Sequence, residues 1–254
     1  MLVLLKIGGG SISPKDSYGK FVREHCIERL ARVIMKFVRR SYKFVIIHGG
    51  GGHAHTPVKC YGLLKYVDFS NRIGVSITKL MLYKLKTKIL EIFVREGVPV
   101  YPLETNDLLK EGNSLDICKL GRVIEAGFVP VLNGEIAITE DGLRIVSGDD
   151  IMLYLARDLR PDLCIFLIDK PGILDKDGKT LSTIPRGAMI SEVTSRGVAD
   201  VTGGILRKLD VCYEICNYVK QIYICSIEYP EELEFIIENV GEVAPHCTRI
   251  LCTE

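Results

Sequence analysis

Residues 48–55 read HGGGGHAH, directly after the apolar run Phe44 to Ile47. Four consecutive glycines carry too much backbone freedom for the interior of a strand or helix. They suit a loop that turns tightly at the end of a buried strand and offers N–H groups to a bound anion, phosphate being the usual client. A histidine closing such a loop adds a side-chain donor to the same phosphate. The segment therefore proposes a ligand class and also a place in a fold, because ligands of open α/β sheets sit beyond the carboxyl ends of the strands.

Outward from this segment, apolar strands alternate with amphipathic helices. Leu2 to Ile7 reads as a buried strand ending in a glycine loop. Phe21, Ile27, Leu30, Ile34, Phe37 and Val38 recur at helical spacing. Further helices are expected over Ile73 to Val94, Leu115 to Ala126, Asp150 to Leu159, Ile205 to Val219 and Glu231 to Ile237. Strands are expected over Val98 to Tyr101, Phe128 to Leu132, Leu163 to Ile168 and Ile222 to Cys225. Ile136 to Ile138 and Leu143 to Val146 flank the hairpin signal Glu140 to Gly142, and Asp175 to Gly178 (DKDG) marks a second turn. This order implies a three-layer αβα sandwich around a mostly parallel open sheet. The glycine loops after Ile7, Ile47 and Leu132 would then face one crevice. No Pro-, Ser- or charge-rich linker interrupts residues 1–254. The chain reads as one domain with two lobes, 1–146 and 147–254, meeting near residues 147 to 162.

Composition narrows the function. Lys plus Arg is 33 and Asp plus Glu is 32, a net charge of +1, unlike a nucleic-acid-binding domain with its basic patch. No apolar run approaches the roughly 18 residues of a membrane span, and the opening MLVLLK is too short for a secretory signal. Nine cysteines are scattered without paired CxxC spacing. They read as buried free thiols in a reducing cytoplasm. Cys212 and Cys216, one helical turn apart, are placed to meet on one face.

Five segments can carry chemistry. The first, KIGGGSISPK, places Lys6 at the end of a strand and Lys15 nine residues on, around Gly8 and Gly9. A lysine ending a buried strand needs a partner, although a plain turn with solvated lysines fits the pattern too. No Walker A order is present. In the second, His48 suits a hydrogen-bonded structural role at the strand end. His55 is placed to reach a ligand, with Gly50 and Gly51 between them. The HxH spacing of His53 and His55 allows zinc, but no Cys or carboxylate lies nearby to complete a site. In the third, SGDD (Ser147 to Asp150), Ser147 or Asp149 could cap the following helix. The carboxylates could instead orient lysines or support Mg²⁺. The fourth, IDKPGIL, holds Asp169 and Gly172. In the fifth, DVTGGILRK, Gly203 and Gly204 open a helix that carries Lys208, a basic N-terminus suited to an anion. Three lysines and three glycine loops, with no Ser–His–acid order, point to phosphoryl transfer.

In order and over nearly its whole length, the chain resembles the amino acid kinase superfamily and, within it, the isopentenyl phosphate kinases. KIGGGSISPK is similar to that family's K-[IL]-GGS-x-[IV]-T-x-K opening and HGGGGHAH to its HGGGSFGH. PVLNGEIA (Pro130 to Ala137) is similar to P-V-L-[YH]-G-D-V, SGDDIMLYLA to its SGDD helix, and DVTGGILRK to DVTGGM-x-x-K. The resemblance implies an ATP-dependent kinase, a homodimer, that converts isopentenyl phosphate to isopentenyl diphosphate in an alternative mevalonate route. Mg²⁺ would arrive on the nucleotide, with no separate protein metal site. It implies that residues 1–146 hold the phosphate acceptor and 147–254 the nucleotide. Lys6 would contact the transferred phosphoryl group and Lys15 would lie near the phosphates. Gly50 and Gly51 would offer backbone N–H groups to the substrate and nucleotide phosphates, with Gly50, Gly148 and Asp149 on the substrate side and Gly8, Gly9 and Gly51 on the nucleotide side. His55 would bind the acceptor phosphate and Asp149 would orient the lysines. Asp169, Gly172, Gly203, Gly204 and Lys208 would belong to the nucleotide side. Gly10, the Gly52-His53-Ala54 stretch and Pro171 depart from the family pattern. Competing readings are a kinase of a phosphonate (fosfomycin-type) or carboxylate acceptor, and a nucleotide- or phosphate-sensing protein without turnover. The apolar face of Ile73 to Phe93, with Met81, Leu82, Leu85 and Ile89, is a candidate wall for the acceptor's tail, though core packing accounts for such a pattern equally.

Overall fold

The computed structural model describes residues 1–14, 21–63, 71–110, 114–139, 142–175, 177–188 and 203–252. Lys15, the turn residues Glu140 and Asp141, and Asp200 to Thr202 of DVTGGILRK lie outside the described residues. Strand β1 (Leu2–Ile7) leads into a single turn of helix α1 (Gly9–Ile12), then α2 (Glu24–Val38) and β2 (Lys43–His48). Helices α3 (Gly51–Cys60) and α4 (Arg72–Arg95) precede β3 (Val100–Pro102), the small pair β4 (Leu109–Lys110) and β5 (Ser114–Leu115), and α5 (Ile117–Glu125). Strand β6 (Val129–Asn133) is followed by the hairpin β7 (Glu135–Thr139) and β8 (Gly142–Val146), then α6 (Gly148–Leu159) and β9 (Leu163–Ile168). The chain closes with β10 (Thr183–Pro185), α7 (Gly203–Ile215), β11 (Gln221–Ser226), α8 (Glu232–Glu238) and β12 (Cys247–Leu251).

Eight strands form one sheet in the order β10-β12-β11-β9-β1-β2-β6-β3. All pairings are parallel except β11 with β12. Strands of the first half of the chain lie on one side of the β1–β9 seam and those of the second half on the other. The central strands are continuous apolar runs because helices cover both faces: every residue of β9 is buried, as are five of six in β1 and β2. One face packs Phe37, Phe44 and Phe93 with α2, α4 and α8. The other packs Phe166, Met152 and Leu155 with α5, α6 and α7. Arg23, Arg29, Lys36 and Arg40 pair with Glu228, Glu231, Glu234 and Glu238 along the α2–α8 border, so much of the balanced charge is spent in matched surface pairs.

Three sequence expectations need correction. The glycine stretch is not all loop: α3 begins at Gly51, so its first turn holds two of the four glycines. The terminal strand β12, between β10 and β11, was not expected, because the short CTRIL segment carries little apolar alternation. The cysteines are not all free thiols. Cys225 pairs with Cys247 and Cys216 with Cys252. Cys225 and Cys247 face each other in the antiparallel register, with Cα atoms 4.1 Å apart, and separations of 22 and 36 residues leave no spacing signal. The pairings remove the cysteine argument for a reducing compartment. Cys212 does not meet Cys216; it is a buried free thiol that burial pushes up to about 12.

Candidate active site

Strand β1 pairs with β2 on one side and β9 on the other, so the chain reverses its lateral direction there and a crevice opens at the strand ends. Gly8 N donates to Leu167 O at 2.8 Å and Gly49 N to Ile7 O at 2.9 Å, which fastens the first two glycine loops to the sheet. The loops then pack backbone on backbone. A Cβ on Gly9 would stand 2.3 Å from Gly51 N, and no side-chain movement relieves such a contact. Gly51 has φ +49° and a Cβ there would meet Ser13 O and Gly9 O. That position explains why glycines open α3. The helix presents its first-turn N–H groups, one of which, from Gly52, reaches Ser13 O at 3.1 Å.

Lys6 Nζ lies 2.9 Å from Asp149 Oδ1, and Lys208 Nζ lies 2.8 Å from the same oxygen. Both lysines are buried. Burial, opposed by Asp149 and assisted by the Lys208 charge, lowers the Lys6 ammonium to about 8. Burial alone would raise the Asp149 carboxyl, but the two ammonium groups outweigh it and keep it well below the usual carboxylate range. Two cations share one anion, which leaves a net positive charge in a poorly solvated place. Such a site is completed by an anionic ligand. The neighbouring carboxylate does different work: Asp150 Oδ2 accepts from Ser147 N and Ser147 Oγ, and its Oδ1 accepts from Arg207. Ser147 and Asp150 form the capping box of α6. Thus the two acidic residues of SGDD divide capping from charge positioning. Gly148 lets Lys6 through, since a Cβ there would come 2.8 Å from Lys6 Cε.

A cavity of about 530 Å³ gathers Lys6, Gly8, Gly9, Gly50, Gly51, His55, Gly148, Asp149, Asp169, Gly204 and Lys208. Those eleven are the sequence candidates the structure brings together. Gly172 is not among the lining residues; it has φ +76° and packs against Thr248 and Thr180. Gly203 opens α7. His53 and His55 have different surroundings: His55 is exposed at the cavity wall, whereas His53 is buried with Nδ1 3.1 Å from Ser13 Oγ. His48 is fully buried beneath the loop. Away from the lysines the wall turns apolar, with Ala54, Val58, Leu82, Ile136, Ile145 and Val146. Leu82 is the member of the anticipated α4 face that reaches this wall; Leu85 and Ile89 belong to the sheet core. Glu135 was missed. It is a buried carboxylate at the cavity edge paired with Lys79 at 2.8 Å, and its signal was the acidic residue just past the third loop.

This fold and site define the class. The chain belongs to the amino acid kinase family, whose family model matches residues 1–226. It is 30% identical to the isopentenyl phosphate kinase of Thermoplasma acidophilum over 239 residues, covering 91% of this chain and 94% of that one. It is 28% identical to the isopentenyl phosphate kinase of Methanocaldococcus jannaschii, covering 83% and 86%. A crystal structure of the T. acidophilum isopentenyl phosphate kinase product complex superposes with a TM-score of 0.81 at 26% identity, covering 98% of this chain and all of that one. Among the described residues no helix is long and apolar enough to cross a membrane.

Proposed function

We propose that this chain is an isopentenyl phosphate kinase, which transfers the γ-phosphoryl group of ATP to isopentenyl phosphate and gives isopentenyl diphosphate for isoprenoid synthesis by an alternative mevalonate route. One observation carries the reading. The cavity joins a buried cationic pair, Lys6 and Lys208 on Asp149, to an apolar wall. A short apolar chain ending in phosphate matches both ends, whereas an amino-acid carboxylate would leave the apolar wall unused.

The acceptor is mostly dianionic near neutral pH, since a phosphomonoester loses its second proton at roughly 6. It therefore needs no general base. An acceptor oxygen forms its bond to the γ-phosphorus as the bond to the bridging oxygen breaks, and ADP leaves with the electron pair. The obstacle is repulsion between two anions. Lys6 and Lys208 would offset it, Asp149 would fix both ammonium groups in place, and His55 would align the acceptor phosphate. The backbone of Gly8, Gly9, Gly50 and Gly51 would approach the phosphates, with Asp169 and Gly204 on the nucleotide side. ATP fits a cradle that a single Cβ would fill. Mg²⁺ would ride on the nucleotide and add charge neutralisation, since Asp149 and Asp150 are already engaged by cationic side chains. Lys15 belongs to this reading by its place in KIGGGSISPK. A homodimer, and a cytoplasmic location set by the need for ATP, complete the proposal.

The deciding experiment is ADP release over isopentenyl phosphate, dimethylallyl phosphate, fosfomycin, acetylglutamate and UMP. Highest kcat/KM on a prenyl phosphate supports the reading. A preference of about tenfold or more for a carboxylate acceptor overturns it. Tight ATP binding without ADP release on any acceptor would mark a sensing protein.

A further inference from the structure

His48 and Asn133 end the neighbouring parallel strands β2 and β6 as register partners. Both side chains share the sheet face of Phe44, Ile46, Val129 and Val131. Both are buried, His48 at 0% and Asn133 at 3% exposure. Each spends one polar atom on the first residue of a cavity loop. His48 Nδ1 lies 3.2 Å from Gly49 O, and Asn133 Nδ2 donates to Gly134 O at 3.2 Å. A carbonyl only accepts, so His48 carries a proton on Nδ1. Burial, with the charges of Lys86 and His53 opposing a second proton, pushes the ring down to about 3, so it is neutral. Nε2 is then a bare acceptor. By the same reasoning the Asn133 amide is oriented with Oδ1 as its remaining acceptor. Both Nε2 and Oδ1 are buried and have no hydrogen-bond partner. Two acceptors cannot satisfy each other, while one water donating both protons would satisfy both.

The Nδ1–H has a consequence for the site. In a trans peptide the C=O and the following N–H point in opposite directions. Holding Gly49 O on the core side turns the Gly50 N–H away from the core, towards the cavity that Gly49 and Gly50 line. We propose that His48, as the Nδ1–H tautomer, is a positioning residue that aims the Gly50 N–H at a bound phosphate, and that its Nε2 and Asn133 Oδ1 share one buried water. The inference rests on the reading of the Gly49–Gly51 backbone as a phosphate cradle, and it does not depend on which acceptor is used. Asn133 supports the adjoining loop in the same way, while Gly134 N returns a bond to His48 O at 3.1 Å.

Nitrogen-15 NMR of the histidine-labelled full chain reads the tautomer without any substrate. The expected spectrum shows one buried histidine protonated at Nδ1 and unprotonated at Nε2 across about pH 5 to 8. A ring protonated at Nε2, or one that titrates in that window, overturns the assignment. His48→Asn places an amide nitrogen where Nδ1 stands, and His48→Gln places one where Nε2 stands. The Asn variant should keep the KM values for ATP and for the acceptor near wild type, while the Gln variant raises at least one of them about tenfold, the worth of one good hydrogen bond. Equal KM values in the two variants overturn the positioning role. A high-resolution crystal structure should show one water between His48 Nε2 and Asn133 Oδ1. Direct contact of the Lys86 ammonium with Nε2 would replace that water and overturn the bridge. A wrong acceptor assignment would change the ADP-release profile and leave the tautomer as it is.

Discussion

Lys208 Nζ lies 2.8 Å from Asp149 Oδ1, the oxygen that also takes Lys6 Nζ at 2.9 Å. The three residues come from α7, α6 and β1, so a single carboxylate ties both halves of the sheet at the β1–β9 seam. Asp149→Asn leaves two buried ammonium groups on a neutral amide. Breaking a buried pair from one side typically costs about 3–5 kcal/mol, so the variant should melt well below wild type. ATP should recover more of that loss than it adds to the wild-type protein, because its phosphates supply the missing negative charge. Thermal melts with and without nucleotide measure both effects, and an unchanged Tm would refute the charge argument.

Lys6 gives a pH signature. Its folded-state value of about 8 lies below the ordinary 10.5. Between those values the unfolded chain holds a proton that the folded chain has lost, so the Lys6 contribution to stability rises with pH across that window. Activity should run the other way, since the proposed transfer uses the charged ammonium. In the free enzyme kcat/KM should fall as pH rises through about 8. The fall in kcat should come at higher pH, because bound phosphates favour the protonated lysine. Superimposable pH profiles for kcat and kcat/KM would show that Lys6 is not the titrating group. Asp149 contributes at the acid end. Its depressed carboxyl supplies stability above its ordinary value of 3.8, lost as pH falls below it.

Adjacent glycines Gly9 and Gly10 should respond very differently to an added methyl group. A Cβ on Gly9 would meet Gly51 N at 2.3 Å, while one on Gly10 has Asp169 Oδ2 at 3.8 Å as its nearest neighbour. Gly9→Ala must therefore separate the two cavity loops, and kcat/KM should drop by about 100-fold or more. Gly10→Ala should stay within about threefold of wild type. Similar kinetics in the two variants would mean that the loops are not held against each other in solution.

The central strands were legible because burial on both faces leaves an uninterrupted apolar code in β1, β2 and β9. The lysine–aspartate cluster was legible as separate motifs, since each residue belongs to a short segment marked by glycine, KIGGG, SGDD or GGILRK. What the sequence hid depends on partners distant in the chain. Position 51 must be glycine because Gly9 and Ser13 stand against it. Glu135 can be buried only because α4 brings Lys79 to it, 56 residues away. Leu82, Leu85 and Ile89 share one apolar stripe, and periodicity does not say that the first faces a ligand and the others the sheet.

His55 supplies the most direct kinetic test of the acceptor end. It belongs to α3 and lines the cavity with Ala54 and Val58 of the same helix. A ligand placed with its tail on Leu82 and its phosphate towards Lys6 would pass this side chain. Removing one positioned donor from developing phosphate charge typically costs about 3 kcal/mol of transition-state stabilisation. His55→Ala should accordingly raise the acceptor KM and lower kcat, with kcat/KM for isopentenyl phosphate down by about 100-fold. The KM for ATP should change little. Because His55 is exposed, the melting temperature should hold, which separates a lost contact from a damaged fold. Steady-state kinetics with each substrate varied in turn decide the matter. A variant that keeps both turnover and acceptor KM near wild type would remove His55 from the acceptor site.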